Sequence, residues 1–161
     1  MNKLQNIYFL VFLFLTMVSC KDKEPVGVDA GNGMVTAKID GSNWQSKDTD
    51  NGAVYVAQLG THIIQAEADD GTIIILTILS SISNGDTFDT SAGLFQPQYK
   101  LSITTTDVYF GLAAGGSGSI TFTTFSDKKV AGTFKFTGVR TLADGSQEEA
   151  LVTSGVFDID I

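Results

Sequence analysis

The sequence has little of several residue types that define common classes of protein. One of its 161 residues is cysteine, one is histidine, two are proline, and only 17% are charged. A single cysteine excludes a disulfide scaffold. A single histidine leaves few ligands for catalytic zinc, which usually takes two or three histidines or several thiolates. Low charge together with 43% hydrophobic residues excludes a disordered chain. The sequence therefore predicts one folded domain with its own core.

Basic residues are also scarce. Ten lysines and arginines face eighteen acidic residues, and the formal net charge is −8. Proteins that bind nucleic acid neutralise phosphates with clustered basic side chains, so this balance argues against a nucleic-acid partner. It also disfavours polyanionic glycans and anionic lipid headgroups as partners, because the acidic body is repelled by both.

Long hydrophobic runs are absent except at the start of the chain. Lys3 precedes an apolar run from Ile7 to Val18. Twelve residues are too few for a membrane span, which needs about 20, so residues 1–19 are predicted to be a cleaved secretory signal peptide. A polar, glycine-rich tether over residues 20–33 follows, and a single β domain over residues 34–161 completes the predicted organisation.

The end of the apolar run, Met17-Val18-Ser19-Cys20, resembles the lipobox of bacterial lipoproteins. The resemblance implies that Cys20 is acylated and becomes the new N-terminus, so the chain is anchored to a membrane without spanning it. The residue after it is Lys21, where the inner-membrane retention signal of enteric lipoproteins has Asp. This favours the outer membrane and leaves the periplasmic and surface faces both open.

From Met34 onward, apolar and polar residues alternate with a period of two, and turn residues interrupt the pattern every eight to twelve residues. This pattern predicts an all-β protein of about ten short antiparallel strands, folded as a two-sheet sandwich or a flattened barrel. Gln98–Thr104 is predicted to point Tyr99, Leu101 and Ile103 inward. Gly155–Ile161 is predicted to point Phe157, Ile159 and Ile161 inward. Further strands are predicted over His62–Ala68 and Glu148–Val152.

Local signals predict particular hairpins. Asp70-Gly71 between two apolar runs predicts a tight turn, and Thr72–Leu79, apolar on both faces, predicts a strand in the middle of a sheet. A second hairpin is predicted through residues 126–129, with its strands held by cross-strand pairs of large apolar side chains. These side chains are Ile120, Phe122, Phe134 and Phe136.

Two aromatic residues, His62 and Trp44, are each the only one of their kind in the sequence. His62 follows Gly60-Thr61 and is interpreted as a residue at the edge of a turn, without catalytic partners in the sequence. Trp44 follows an Asp-Gly turn. It is a weak candidate for stacking on a sugar ring, and burial at one end of the core is the favoured interpretation.

Acidic loops suggest a weak candidate metal site. Asp48 and Asp50 alternate with other residues before Gly52, as oxygen ligands do in calcium loops, but the spacing departs from the EF-hand pattern. Structural calcium is therefore a minor alternative, and no cofactor is otherwise predicted. Residues 115–118, Gly-Gly-Ser-Gly, lack the lysine and helix of a phosphate-binding loop and are read as a connection.

Several short segments together resemble small lipoproteins of Bacteroidota that carry a β domain of unknown function. Beyond the lipobox, the segments are Ala37–Trp44, Asn84–Phe88, Gly118–Phe122, Val130–Phe136 and Thr153–Phe157. The resemblance covers nearly the whole predicted mature chain, and it carries no catalytic residue with it.

The sequence thus predicts a lipid-anchored envelope protein whose β domain is noncatalytic and binds a glycan, a small lipid-like molecule or an envelope protein. One alternative is a carboxylate-dependent hydrolase of envelope glycans, for which Asp158 and Asp160 are the nearest pair of acids. Another is a structural accessory subunit, which would carry an exposed apolar patch.

Overall fold

The computed structural model describes residues 33–47, 53–58, 60–104 and 106–161. In these residues the regular secondary structure is eleven β-strands. The described part contains no helix long and apolar enough to cross a membrane. The strands are β1 Met34–Ile39, β2 Ser42–Gln45, β3 Ala53–Gln58, β4 Thr61–Glu67, β5 Ile73–Ile78, β6 Thr87–Asp89, β7 Phe95–Lys100, β8 Val108–Phe110, β9 Ser117–Phe125, β10 Lys129–Thr141 and β11 Gln147–Asp160.

The strands form one open, curled antiparallel sheet that resembles half of a barrel. The main order is β2-β1-β11-β10-β8-β7-β5-β4-β3, and β9 and β6 form a branch beside β10. The predicted all-β, antiparallel fold is confirmed. All the strands belong to one continuous hydrogen-bonded sheet, and the finer choice between a two-sheet sandwich and a flattened barrel stays a prediction.

The long strand β10 is the point where the sheet divides. Its N-terminal part pairs with β9, and Val139 near its C-terminal end pairs with Phe110 of β8. Its other edge pairs with β11 along almost the whole strand. The strands on both edges of β10 therefore curl around the same core.

The core lies on the concave face of the curled sheet. It contains inward side chains from the strands on both edges of β10. Five of them are almost fully buried: Ile64, Leu76, Phe95, Phe122 and Phe157. Alternation along each strand sends every second side chain into this core. Strand β5 lies between β4 and β7, as its apolar sequence predicts, and Ile74, Leu76 and Ile78 are its core residues.

A few contacts join the first hairpin, formed by β1 and β2, to the hairpin formed by β4 and β5. The backbone N–H of Lys47 donates to the carbonyl of Glu67, and the two side chains also form an ion pair. Nearby, the indole N–H of Trp44 donates to Thr72 Oγ1 at 2.7 Å. These contacts bring β2 close to the hairpin between β4 and β5 and draw the two ends of the curled sheet together.

Several strand predictions need correction. The strand expected over Gln98–Thr104 is β7, which ends at Lys100, and beyond the bond from Leu101 N–H to Asp107 O the chain turns back to β8. Leu101 and Ile103 are consequently exposed. Ile161 lies beyond the last strand and is exposed as well.

Two further differences arise from tertiary pairing. The runs near Glu148–Val152 and Gly155–Ile161 belong to one strand, β11, which is bulged where Ser154 has a φ of 50°. The short strands β2 and β6 were not predicted. Their few residues are extended because β1 and β9 pair with them.

Candidate functional site

Four turns lie at one end of the curled sheet. They connect β1 to β2, β4 to β5, β7 to β8 and β10 to β11, and the antiparallel order brings them together. The inward side chains next to these turns are polar and aromatic instead of aliphatic. We call this cluster of Thr72, Tyr99, Tyr109, Arg140 and Glu148 the tyrosine end.

A stacked pair of tyrosines is the centre of the tyrosine end. Tyr99 of β7 and Tyr109 of β8 are directly opposite each other, with ring centroids 5.8 Å apart and an interplanar angle of 28°. Tyr109 is buried, whereas Tyr99 is half-buried. A half-exposed ring fixed by a second ring is a rigid surface on which the flat face of a ligand can pack.

Arg140 of β10 packs over the ring of Tyr109. Its guanidinium carbon lies 5.0 Å from the centroid of Tyr109, and its Nη1 and Nη2 atoms bind Asp107 at 3.0 Å and Glu148 at 2.5 Å. The Tyr109 hydroxyl also donates to Glu148 at 3.2 Å. Arginine suits this position because its planar group can stack on a ring while it binds two carboxylates.

A second network borders Tyr99 on its other side. Thr72 donates its backbone N–H to Asp70 Oδ1 at 2.9 Å and its hydroxyl to the same oxygen at 2.6 Å. Thr72 Oγ1 also accepts the indole N–H of Trp44 at 2.7 Å. The turn after β4 therefore links the sole tryptophan to the Asp70 carboxylate, whose charge acts on Tyr99.

The electrostatics of the tyrosine end keep its phenols neutral and its acids charged. Burial raises the pKa of both Tyr99 and Tyr109, and the nearby Asp70 raises that of Tyr99 further. Hydrogen bonds from Arg140 and Tyr109 lower the pKa of Glu148. At neutral pH the cluster therefore offers phenol donors and carboxylate acceptors, which are complementary to hydroxyl groups.

A smaller cluster occupies the opposite end of the sheet, and we call it the histidine end. Tyr55 Oη lies 2.6 Å from His62 Nδ1, the two rings stack at 6.0 Å, and Phe125 of β9 packs edge-on against both. Burial lowers the pKa of His62 and raises that of Tyr55, so both groups are neutral at neutral pH and the tautomer of His62 decides which of them donates. His62 lies at the start of β4, beside the turn, as the sequence predicts.

Trp44 is only 8% exposed and belongs to the core. Its ring is thus packed inside the sheet, and its connection to the tyrosine end is the hydrogen bond to Thr72. Cys20, Asp48 and Asp50 lie outside the described residues. Within those residues, no group of three or more His, Cys, Asp or Glu side chains is placed to hold a metal ion.

The two acids considered for glycan hydrolysis lie near the end of β11. Asp158 forms an ion pair with Lys129 at 2.7 Å. This ion pair joins the neighbouring strands β10 and β11 at the end of the sheet opposite Tyr99 and Tyr109.

Sequence reasoning missed the tyrosine end. Tyr99, Tyr109, Arg140 and Glu148 belong to four strands and are separated by up to 49 positions, so no short motif contains them. One weak signal was available: Arg140 is a cation on the face of β10 whose other residues are apolar. Its alternation with Phe136 and Gly138 places it on the inward face.

Comparison with protein-family models, curated proteins and solved structures gave no match to this chain.

Proposed function

We propose that this chain is a lipid-anchored domain of the bacterial cell envelope that binds a neutral glycan at the tyrosine end without catalysing a reaction. The anchor rests on the lipobox-like sequence at Cys20. The membrane is proposed to be the outer one, on either face. The binding function rests on a single observation: a half-exposed tyrosine is fixed by stacking at the point where donors and acceptors from several strands converge.

The chemistry of the tyrosine end fits a sugar better than a lipid chain. The C–H face of a pyranose ring packs on an aromatic ring, and its hydroxyls bond to carboxylates, phenols and guanidinium groups. Asp107 and Glu148 pair with Arg140, and Asp70 lies on the Tyr99 side of the cluster. An acidic sugar would be repelled there, so the proposed ligand is uncharged.

Binding is favoured over hydrolysis by the direction of the pKa shifts. In the part of the chain that the structure describes, the acids with shifted pKa values are all shifted downward by hydrogen bonds; they are Asp70, Asp89, Asp144 and Glu148. A glycosidase needs one carboxyl group with a raised pKa as its general acid. Acids that remain ionised are suited to accepting hydrogen bonds from a ligand.

The proposal is tested by titrating the full chain with neutral oligosaccharides of glucose, mannose and galactose in a calorimeter. Tyr99→Ala is expected to weaken binding at least tenfold. Tyr55→Ala removes the same half-buried side chain from the histidine end and serves as the matched control, expected to leave affinity unchanged. Thermal unfolding of both variants establishes that they are folded.

Three outcomes would overturn the proposal. Affinity that is lost equally in both variants, or retained in Tyr99→Ala, would place the ligand elsewhere. Absence of binding across the panel would remove the glycan. Release of reducing sugar by the wild-type chain, lost on Glu148→Gln, would establish the hydrolase alternative.

A further inference from the structure

An exposed leucine lies just beyond the tyrosine end. Leu101 follows the last residue of β7 and is 38% exposed. Its N–H donates to the carbonyl of Asp107 at 3.4 Å, which continues the pairing of β7 with β8 by one residue on each strand. Leu101 is therefore held opposite Asp107, just as Tyr99 is held opposite Tyr109.

The side chain of Asp107 shows on which face of the sheet this pair lies. Asp107 Oδ1 binds Arg140 Nη1 at 3.0 Å, and the guanidinium of Arg140 lies over the ring of Tyr109. Asp107 is thus on the face that carries the tyrosines. Residues directly opposite each other share a face, with Cβ atoms about 5 Å apart. Leu101 therefore lies on this face too, about 7 Å along the strand from Tyr99.

Polar residues border Leu101 on both sides. On one side is Asp107, whose side chain is 55% exposed. On the other side, β5 pairs with β7 as far as Ile73 and Lys100, so the next residue of β5's side, Thr72, is the neighbour of Leu101. The apolar surface between these two polar residues is one side chain wide, which suits a small apolar group and not an alkyl chain.

We infer that Leu101 and Asp107 select a sugar that carries an acetamido group, so that the ligand of the tyrosine end is a neutral N-acetylhexosamine. This inference rests on the proposed function. An acetamido group brings a methyl group and an amide N–H. Leu101 offers an apolar contact to the methyl group, and Asp107 offers an acceptor to the N–H. A carboxylate accepts several hydrogen bonds, so Asp107 can bind the amide while it stays paired with Arg140.

The position of the pair fits a sugar ring that packs on Tyr99. Leu101 and Asp107 are the next residues toward the open end on the two strands that carry the stacked tyrosines. A substituent that projects from a ring on Tyr99 in this direction meets both side chains. Contact with its methyl group removes apolar surface of Leu101 from water, which is favourable.

A hydroxyl or an ammonium group fits this pair less well. A hydroxyl has no apolar part to cover Leu101. The ammonium group of an unacetylated amino sugar is attracted by Asp107, but it would lose water against the leucine side chain. Preference for the acetylated sugar therefore separates selection by the pair from attraction by acidic charge alone.

The test titrates the full chain with three matched pairs of methyl glycosides. Each pair is a hexose of the glucose, galactose or mannose configuration and its acetamido counterpart, and isotope-labelled leucine methyl groups report binding by NMR. In at least one configuration the acetamido sugar is expected to bind at least fivefold more tightly and to shift the Leu101 methyl signals. The gain arises from one buried methyl group and one hydrogen bond to a charged acceptor. The unacetylated amino sugar is expected to bind less tightly than the acetamido sugar.

Three variants locate the preference. Leu101→Ser is expected to reduce it below twofold and to leave the affinity for the plain hexose unchanged. Ile103→Ser is the matched control, because Ile103 is 63% exposed two residues further along the chain, and it is expected to keep the preference. Tyr99→Ala is expected to weaken the binding of both sugars of a pair. Thermal unfolding checks that each variant is folded.

The outcomes separate this inference from the proposed function. Equal affinities within every pair, a preference that survives Leu101→Ser, or tightest binding of the unacetylated amino sugar would overturn the inference and leave glycan binding at the tyrosine end standing. Absence of binding for every sugar would overturn both.

Discussion

Gly132 lies directly beneath the ring of Phe157, its partner on the neighbouring strand, so that a Cβ atom at position 132 would come within 2.6 Å of Phe157 Cζ. The same Cβ would lie 2.1 Å from the backbone oxygen of Thr121. The large ring thus fills space that the glycine leaves open. Gly155 and Phe134 repeat the arrangement one step along the same strands, with a Cβ at 155 placed 2.7 Å from the ring of Phe134.

Gly132→Ala is expected to lower the free energy of unfolding by about 1–3 kcal/mol, as overpacking does, because the backbone of Thr121 cannot rotate away as a side chain could. Chemical denaturation measures the change. Gly85→Ala is the control: its φ is +86° but nothing lies within 4 Å of the added Cβ, so only backbone strain of about 1–2 kcal/mol is expected. A smaller loss for Gly132→Ala than for Gly85→Ala would contradict the packing argument.

The fluorescence of the sole tryptophan, Trp44, reports on the contact between the β1–β2 hairpin and the β4–β5 hairpin. Thr72→Val removes the acceptor of the Trp44 indole N–H and is expected to destabilise the fold by about 1 kcal/mol. Wild-type Trp44 is expected to emit at short wavelength and to resist acrylamide quenching, and Thr72→Val should increase quenching. Ser126→Ala, at the opposite end of the sheet, should leave the fluorescence unchanged.

Protonation of His62 is expected to destabilise the histidine end. Burial lowers its pKa in the folded state, so the folded protein binds fewer protons than the unfolded chain. The stability contributed by neutral His62 is therefore present above the ordinary pKa of 6.5 and is lost as the pH falls through that value toward the folded pKa. Melting temperatures from pH 8 to 5 should fall less steeply for His62→Gln than for wild type. Equal slopes would show that His62 contributes nothing to the pH dependence.

The carboxylates of the turns should govern stability at lower pH. Hydrogen bonds lower the pKa values of Asp70, Asp89 and Asp144, so their contribution is present above their ordinary pKa of 3.8 and is lost below it. Asp70→Asn is expected to flatten the stability curve between pH 5 and 2.5. Asp127→Asn, in the turn between β9 and β10, is the comparison. A flattening of similar size in that variant would remove the special role of Asp70.

Acylation of Cys20 remains a prediction from the sequence. Cys20→Ala is expected to abolish incorporation of labelled palmitate and to release the chain from the membrane fraction. Ser19→Ala keeps a small residue before the cysteine and is expected to leave both unchanged. Labelled fatty acid in the Cys20→Ala chain would refute the anchor.

The sequence by itself determined the class of fold and most of the strands. Period-two alternation and Asp-Gly turns depend on neighbouring residues, so they predicted β4 and β5 almost to the residue, the hairpin between β9 and β10, and the central position of β5. The same alternation failed at Leu101, where β7 has ended and the chain turns back to pair with β8.

Only the tertiary structure decided how these strands are arranged and what their faces carry. The single curled sheet depends on β10 pairing with three strands, and the bulge at Ser154 joins two predicted strands into one. The tyrosine end likewise combines residues from distant strands. Alternation along a strand fixes which residues share a face, but the register between strands, which is set by long-range hydrogen bonds and core packing, fixes which faces meet.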